Sequence, residues 1–134
     1  MDAADSTFSP SQDSLTSRII GCAITVHREL GSGLLESAYQ ECLCYELVKR
    51  GLGVARQVAL PVVYDGHRLE AGFRPDIIVN SEVIVEVKAV TQLAPIHTAQ
   101  LLTYLKLSKM SRGLLMNFHA SPLITGIKRV SLSA

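Results

Sequence analysis

The sequence predicts a single domain of mixed α and β structure, in which helices flank a mixed central β-sheet. Three observations lead to this prediction. The 134 residues are 48% hydrophobic, which is enough for one compact core. Apolar residues recur at helical spacing in the first third of the chain, and β-branched segments bounded by turn residues follow. The elements read α-α-β-β-β-α-β-β, which indicates an α/β (α+β) three-layer arrangement.

Two helices are predicted near the start of the chain. Residues 1–13 are polar and are expected to form a disordered tail, so the domain covers residues 14–134. A helical pattern runs over residues 14–30. Gly31-Ser32-Gly33 then supplies a glycine that ends one helix and an N-cap serine that starts the next. The second helix runs to about Arg50.

The strand signals begin at Val54. Residues 54–64 are β-branched and broken by Pro61, and Asp65-Gly66 is a strong hairpin signal before a second strand region. Asn80-Ser81 forms a turn before the third strand, and Pro95 opens a helix to about Lys109. The strand regions after the hairpin are predicted over residues 69–79, 82–90, 113–118 and 124–132.

The net charge of +1 gives little support for non-specific nucleic-acid binding. The distribution of charge along the chain is more informative. Residues 1–86 hold all twelve acidic and seven basic residues, whereas residues 87–134 hold six basic residues and no acidic one. A basic surface beside an acidic metal site would produce this asymmetry. Six solvated side chains on element edges would produce it equally well.

The cysteines and apolar segments indicate a reducing compartment and no membrane partner. Cys22, Cys42 and Cys44 are odd in number, lack CxxC spacing and fall in helical patterns, so we expect buried thiols in a cytoplasmic protein. The N-terminus has no apolar core of a signal peptide, and no apolar run could span a bilayer. No zinc spacing, GxGxxG, P-loop or GxSxG motif occurs.

The segment of residues 82–90 carries charge in a strand that looks central. Val83, Val85, Val87 and Ala89 face one side, while Glu86 and Lys88 project together from the other. Charges on a buried strand are costly unless they are paired or bind a metal. A Glu86–Lys88 ion pair at a sheet edge is therefore one interpretation, and a metal site is the other.

Asp76 favours the metal site, because it lies in a second apolar strand one hairpin away from Glu86. Two carboxylates and a strand carbonyl form a hard-oxygen pocket suited to Mg²⁺ or Mn²⁺, and Lys88 could position an attacking water or neutralise a phosphate. A two-residue loop at Asn80-Ser81 would place Asp76 and Glu86 on opposite faces. The site therefore predicts an odd-length loop or a bulge there.

Two helices carry polar residues within apolar faces. Glu36 and Glu46 both fall in the apolar arc of the second helix, and Arg56 is one candidate partner for Glu46. On the helix after Pro95, a polar line could border the carboxylate site, form a buried hydrogen-bonded cluster or serve as a dimer seam. The members of this line are His97, Gln100, Tyr104 and Ser108.

These residues also carry a resemblance to a known family. Pro75-Asp76, nine intervening residues and Glu86-Val87-Lys88 form a PD…(D/E)XK motif, and Gly33-Leu34-Leu35-Glu36-Ser37-Ala38-Tyr39 matches GxxExxY. With the stretches VHRELGSGLLESAY, VEVKAV and AQLLTYLKLS, the chain resembles the small bacterial GxxExxY proteins of the PD-(D/E)XK nuclease-like superfamily. The resemblance covers residues 15–132.

The resemblance implies a restriction-endonuclease-like core with one divalent-metal site. Asp76, Glu86 and the Val87 carbonyl would be the metal ligands, and Lys88 the catalytic lysine. Glu36 matches the helical acid of the superfamily, and Gln100 matches its glutamine on the helix after the third strand. Tyr39, His97 and Tyr104 would be accessory.

Three functions are compatible with these residues. The first is a Mg²⁺- or Mn²⁺-dependent nuclease that hydrolyses DNA or RNA with a metal-activated water. The second is a non-catalytic nucleic-acid-binding or assembly protein, since the net charge is near zero and aromatics are only 5%. The third is a purely structural role, in which Glu86 and Lys88 form an ion pair and the polar line of the helix after Pro95 is a dimer seam. A homodimer is a further expectation for a domain of this size.

Overall fold

The computed structural model describes residues 10–132, and two helices open this part of the chain. Helix α1 spans Pro10–Leu30 and helix α2 spans Glu36–Lys49. Helix α1 thus begins four residues before the predicted start, at a proline, which suits the first turn because a helix leaves that N–H unpaired. The predicted disordered tail lies outside the described residues over residues 1–9.

The loop between these helices differs from the prediction in one respect. Gly31 ends α1 as predicted: its φ is 73°, and its N–H donates a hydrogen bond to the His27 carbonyl at 2.7 Å. Ser32 does not cap α2, however, because its hydroxyl lies 3.2 Å from His27 Nε2. The N-cap is Leu35, which makes no side-chain capping bond.

Seven strands and one further long helix complete the described fold. Two long strands were predicted between residues 54 and 79, and in the structure a bend divides each of them into two shorter strands. A short 3₁₀ helix, Leu123–Gly126, precedes the last strand. The elements are β1 Val54–Arg56, β2 Leu60–Tyr64, β3 His67–Phe73, β4 Ile77–Val79, β5 Val83–Lys88, α3 Pro95–Ser108, β6 Arg112–Asn117 and β7 Ile127–Ser131.

The main sheet has the order β1-β4-β5-β6-β7, with β5 and β6 parallel and the other neighbours antiparallel. This mixed sheet with flanking helices confirms the predicted fold class. Strand β5 is its central strand, so a sheet-edge position for Glu86 and Lys88 is wrong. Strands β2 and β3 pair separately as a hairpin, with a register shift next to Pro61.

The core lies on both faces of the main sheet. Val83, Val85 and Val87 pack in the larger cluster with α1 and α2, as their alternation predicts. Ile84 packs on the other face with Leu101 and Leu105 of α3. Since Glu86 alternates with the valines, it shares the α3 face with Ile84. Among the described helices, none has the length and apolar character needed to span a membrane.

Candidate metal-dependent active site

The loop between β4 and β5 decides which face Asp76 occupies. The register pairs Val79 with Val83 and Ile77 with Val85, so the loop contains three residues and has the odd length that was predicted. Asn80 and Ser81 both adopt left-handed backbone angles, with φ of 52° and 55°. One step beyond the last ladder pair, this register sets Asp76 directly opposite Glu86.

Asp76 and Glu86 are locked together by hydrogen bonds across the two strands. The Asp76 N–H donates to Glu86 Oε2 at 2.8 Å, and the Val87 N–H donates to Asp76 Oδ2 at 2.8 Å. Glu86 is 3% exposed. The backbone of each strand thus holds the carboxylate carried by the other strand.

The surroundings favour the protonated form of both acids. Burial, reinforced by the charge of Asp76, raises the pKa of Glu86 to about 7. Burial also raises the pKa of Asp76, although the Val87 N–H and Lys88 oppose this shift. In the described part of the chain, no lysine, arginine or histidine forms an ion pair with either acid.

Lys88 reaches the adjacent helix instead of Glu86. Its Nζ donates to Gln100 Oε1 at 3.3 Å, which joins the end of β5 to the polar line on α3. Tyr104 lies beside Lys88 and Gln100. Burial raises the pKa of Tyr104, and the charges of Glu86 and Asp76 raise it further, whereas a hydrogen bond with Gln100 lowers it. The structure therefore brings together Asp76, Glu86, Lys88, Gln100 and Tyr104.

Comparison with protein-family models shows the superfamily to which the chain belongs. Residues 13–130 match the model of the PD-(D/E)XK nuclease superfamily. The chain belongs to this superfamily. No curated protein and no solved structure matches the chain. Nucleases of the PD-(D/E)XK superfamily generally use divalent metals and act on nucleic acids.

The donor set at the motif fits a hard cation. Glu86 is buried and Asp76 half-buried, neither forms a salt bridge with another described residue, and oxygen donors of this kind suit Mg²⁺ and Mn²⁺. No cluster of three or more His, Cys, Asp or Glu side chains is placed to hold a metal within the described chain. A third protein ligand at this point would be a backbone carbonyl, such as that of Val87, or a neutral side chain such as that of Gln57.

Glu36 approaches the superfamily motif from the start of α2. Its charge raises the pKa of both Asp76 and Glu86, after the larger effect of burial. It lines an open cleft of about 530 Å³ together with Ala89 and His119, at the end of β5. Glu46, the other glutamate in the arc, pairs with Arg50 at 2.8 Å rather than with Arg56.

Two predicted accessory residues make their contacts elsewhere. Tyr39 is fully buried; its hydroxyl donates to the Gly31 carbonyl at 2.5 Å and accepts from the Leu34 N–H, and its ring stacks on Phe118. The His97 Nδ1 accepts a hydrogen bond from the Ala94 N–H at 3.0 Å, so His97 caps α3. These contacts give both side chains structural roles.

Sequence reasoning missed two polar residues at the site. Gln57 donates to Gln40 Oε1 at 2.9 Å, and its side-chain hydrogen bond to Asp76 lowers the pKa of that acid. Asn117, 4% exposed, accepts from the Val90 and His119 N–H groups and donates to the Val90 carbonyl. Gln57 lies in a bend that no local pattern marks. Asn117 ends an apolar strand, and a buried amide in that position was the available signal.

Proposed function

We propose that this chain is a divalent-metal-dependent nuclease that hydrolyses phosphodiester bonds of DNA or RNA. One observation carries the proposal. Asp76 and the buried Glu86 lie opposite each other with no salt bridge to either carboxylate in the described structure, and the charge of Asp76 opposes ionisation of Glu86. A bound cation would relieve this repulsion and replace the lost hydration of both groups.

In this proposal each residue has a distinct role. Asp76, Glu86 and the Val87 carbonyl would hold Mg²⁺ or Mn²⁺. When bound, the cation supplies Lewis-acid activation of the attacking water and neutralises charge on the phosphate. Lys88 offers an ammonium on the same strand face, where it can bind a phosphate oxygen or orient water.

The helices would complete the site. Gln100 holds the Lys88 amine through the hydrogen bond at 3.3 Å and is therefore proposed as a positioning residue. Glu36 adds negative charge from the α2 side, and Tyr104 borders the acids from α3. The contacts of Tyr39 and His97 support no direct part in the chemistry.

The test is cleavage of labelled single- and double-stranded DNA and RNA with Mg²⁺ or Mn²⁺. Asp76→Ala and Lys88→Ala are expected to lower cleavage by at least about 100-fold, the scale for loss of a group that stabilises a transition state. The exposed residues Glu29 and Lys49 provide the matched controls Glu29→Ala and Lys49→Ala. Cleavage that survives both site substitutions would contradict the proposal.

Metal binding is measured separately from turnover. Calorimetric titration with Mn²⁺ should show binding to the wild type and a large loss in Asp76→Ala and Glu86→Ala. In a Mn²⁺-soaked crystal, anomalous density should lie between Asp76, Glu86 and the Val87 carbonyl. Density at any other position would remove these residues from the ligand set.

A second function is a nucleic-acid-binding or assembly protein without turnover. The absence of a three-side-chain metal cluster among the described residues favours it, as does the net charge of +1. Salt-dependent binding without cleavage under any metal would support this function. The cleavage assay separates it from the nuclease, because both functions predict salt-dependent binding.

Three further proposals concern the bacterial group, the location and the oligomeric state of this chain. We place the chain in that bacterial group, because Gly33, Glu36 and Tyr39 have its spacing and Glu36 lies near the acids. The three free cysteines support a cytoplasmic location. Sedimentation velocity tests the expected homodimer.

A further inference from the structure

The β2–β3 hairpin, residues 60–73, stands apart from the main sheet, and we call it the arm. Its strands pair with each other and with none of the other described strands. Gln57 precedes the arm in the sequence and Asp76 follows it, and the Gln57 N–H donates to the Asp76 carbonyl at 3.0 Å. Both ends of the arm therefore lead into the candidate site. At its base, the rings of Phe73 and Tyr104 lie 5.0 Å apart. A polymer bound at the site would therefore run beside the arm.

The strand register gathers the ring side chains on one face of the arm. Tyr64 lies opposite His67, and Val62 lies opposite Leu69. Paired residues share a face and side chains alternate along a strand, so these four side chains form one surface, which we call the ring face. Tyr64 is 77% exposed and Leu69 is 53% exposed.

Two charged residues of the arm, Arg68 and Glu70, occupy the opposite face and neutralise each other, and Asp65 lies in the turn at the tip. Arg68 Nε lies 2.6 Å from Glu70 Oε2, and Arg68 is opposite Val63 in the register. The ring face itself carries no carboxylate, lysine or arginine. The arm thus presents flat rings and apolar carbons to solvent, which suits bases better than phosphates.

We propose that the ring face is a stacking platform for unpaired bases of a nucleic-acid strand held at the candidate site. This proposal rests on the proposed function and names its substrate class. Every base has a face that an aromatic ring can stack on, but in a duplex that face is already covered by the neighbouring base pair. The substrate is therefore single-stranded or carries an unpaired stretch beside the cleaved bond.

The size of the ring face argues against a second copy of the chain as its occupant. A stable protein interface takes about 20–30 residues from each side. The ring face offers four side chains on a hairpin that pairs with no other described strand. An area of this size matches one or two bases.

The distance to the acids is also suitable. Leu69 precedes Asp76 by seven residues in the sequence, so at about 3.4 Å per residue the two lie at most about 24 Å apart. Single-strand-binding folds cover about 4–16 nucleotides. An oligonucleotide of about twelve residues should reach from the ring face to the acids.

The absence of tryptophan from the sequence gives a direct probe of stacking. In Tyr64→Trp, the single indole fluorophore sits on the ring face. A twelve-residue oligothymidylate added in EDTA should quench its emission, and a blunt duplex of the same length should leave it unchanged. The matched probe is Tyr45→Trp on α2, where Tyr45 is 71% exposed, and its emission should not respond.

Binding of labelled oligonucleotides tests the contribution of the ring. Tyr64→Ala should bind the single strand about 5- to 100-fold more weakly, the range expected for one base–aromatic stack, whereas Tyr64→Phe should bind as the wild type does. The slope of log affinity against log salt should be unchanged, because no phosphate contact is lost. Tyr45→Ala should also bind normally.

The platform and the proposed function fail in different ways. Unchanged emission with the single strand, wild-type binding by Tyr64→Ala, or an equal loss for duplex and single strand would each overturn the platform, whether or not the protein cleaves. If the emission of Tyr64→Trp changed with protein concentration in the absence of oligonucleotide, the ring face would be a contact between two copies of the chain and not a platform for bases. Normal stacking without cleavage in Mg²⁺ or Mn²⁺ would uphold the platform and count against the nuclease.

Discussion

Asp76 and Glu86 face each other across β4 and β5, and each strand binds the carboxylate of the other. The Asp76 N–H donates to Glu86 Oε2, and the Val87 N–H donates to Asp76 Oδ2, both at 2.8 Å. Backbone geometry therefore holds two repelling acids in place without help from a salt bridge in the described structure.

The stability of the metal-free protein should fall as pH rises toward neutrality. The pKa of Glu86 is raised to about 7 in the fold, so its stabilising contribution is complete below the ordinary glutamate pKa and is lost as pH rises through about 7. One such group gives a slope of at most about 1.4 kcal/mol per pH unit. Urea unfolding in EDTA between pH 5 and pH 8 measures this slope.

The variant Glu86→Gln is the control for that slope. It should lose stability less steeply with pH and exceed the wild type at pH 8, because no buried carboxylate has to ionise at this position. Mg²⁺ should restore the wild type more at pH 8 than at pH 5, since the cation binds the ionised pair. Parallel curves for the two proteins would refute the electrostatic account.

Gln100→Ala should lower cleavage without unfolding the domain. Gln100 is half-buried, and its carbonyl accepts the hydrogen bond from Lys88 at 3.3 Å, so its loss releases the amine. Misplacement of a catalytic group by about 1 Å can cost about 100-fold in rate. Single-turnover cleavage gives the effect, and thermal unfolding checks the fold.

Ser108 on the same helix line provides the comparison for Gln100. Its hydroxyl donates to the Leu105 carbonyl within α3 at 3.2 Å, so Ser108→Ala should leave cleavage unchanged. Equal losses in the two variants would mean that the line acts through helix packing and not through Lys88.

Tyr39→Phe distinguishes a structural tyrosine from a catalytic one. The change removes the hydroxyl that joins Gly31 and Leu34 but keeps the stack on Phe118, with ring centroids 4.6 Å apart. The free energy of unfolding should drop by about 1 kcal/mol, with cleavage per folded molecule retained. Loss of cleavage at full stability would instead return Tyr39 to the accessory role suggested by the sequence.

Asn117→Ala should destabilise the ends of β5 and β6 together. The buried amide holds both polar backbone groups of Val90 and the N–H of His119, and its removal leaves them without these partners. The expected cost is on the order of 2–3 kcal/mol by urea unfolding. The exposed residue Gln92 lies in the same loop, and Gln92→Ala should change stability by less than about 0.5 kcal/mol.

Gly72→Ala should distort the base of the arm. A β-carbon there would lie 2.8 Å from the backbone nitrogen of Val62, which cannot move aside as a flexible side chain could. We expect a loss of about 1–3 kcal/mol in urea unfolding. Gly21→Ala on α1, where a β-carbon meets nothing within 4 Å, should be neutral or stabilising by up to about 1 kcal/mol.

Local pattern was sufficient for the elements and for the motif. Alternation in residues 82–90 placed Glu86 and Lys88 on one face of a strand, and Asp65-Gly66 and Pro95 marked a hairpin and a helix start. The motif also set a condition, because Asp76 and Glu86 could share a face only if an odd-length loop or a bulge joined their strands. These features depend on neighbours within a few residues, which the sequence displays directly.

Only the tertiary structure decided the remaining features, because they depend on partners distant in sequence. Each of the two long strands predicted between residues 54 and 79 is divided because β1 pairs with β4, whereas β2 pairs with β3. Gln57 reaches Asp76, and Asn117 reaches Val90, through contacts that no periodicity encodes. The sequence by itself thus determined which residues are acids on adjoining strands, and folding determined how deeply they are buried and what lies beside them.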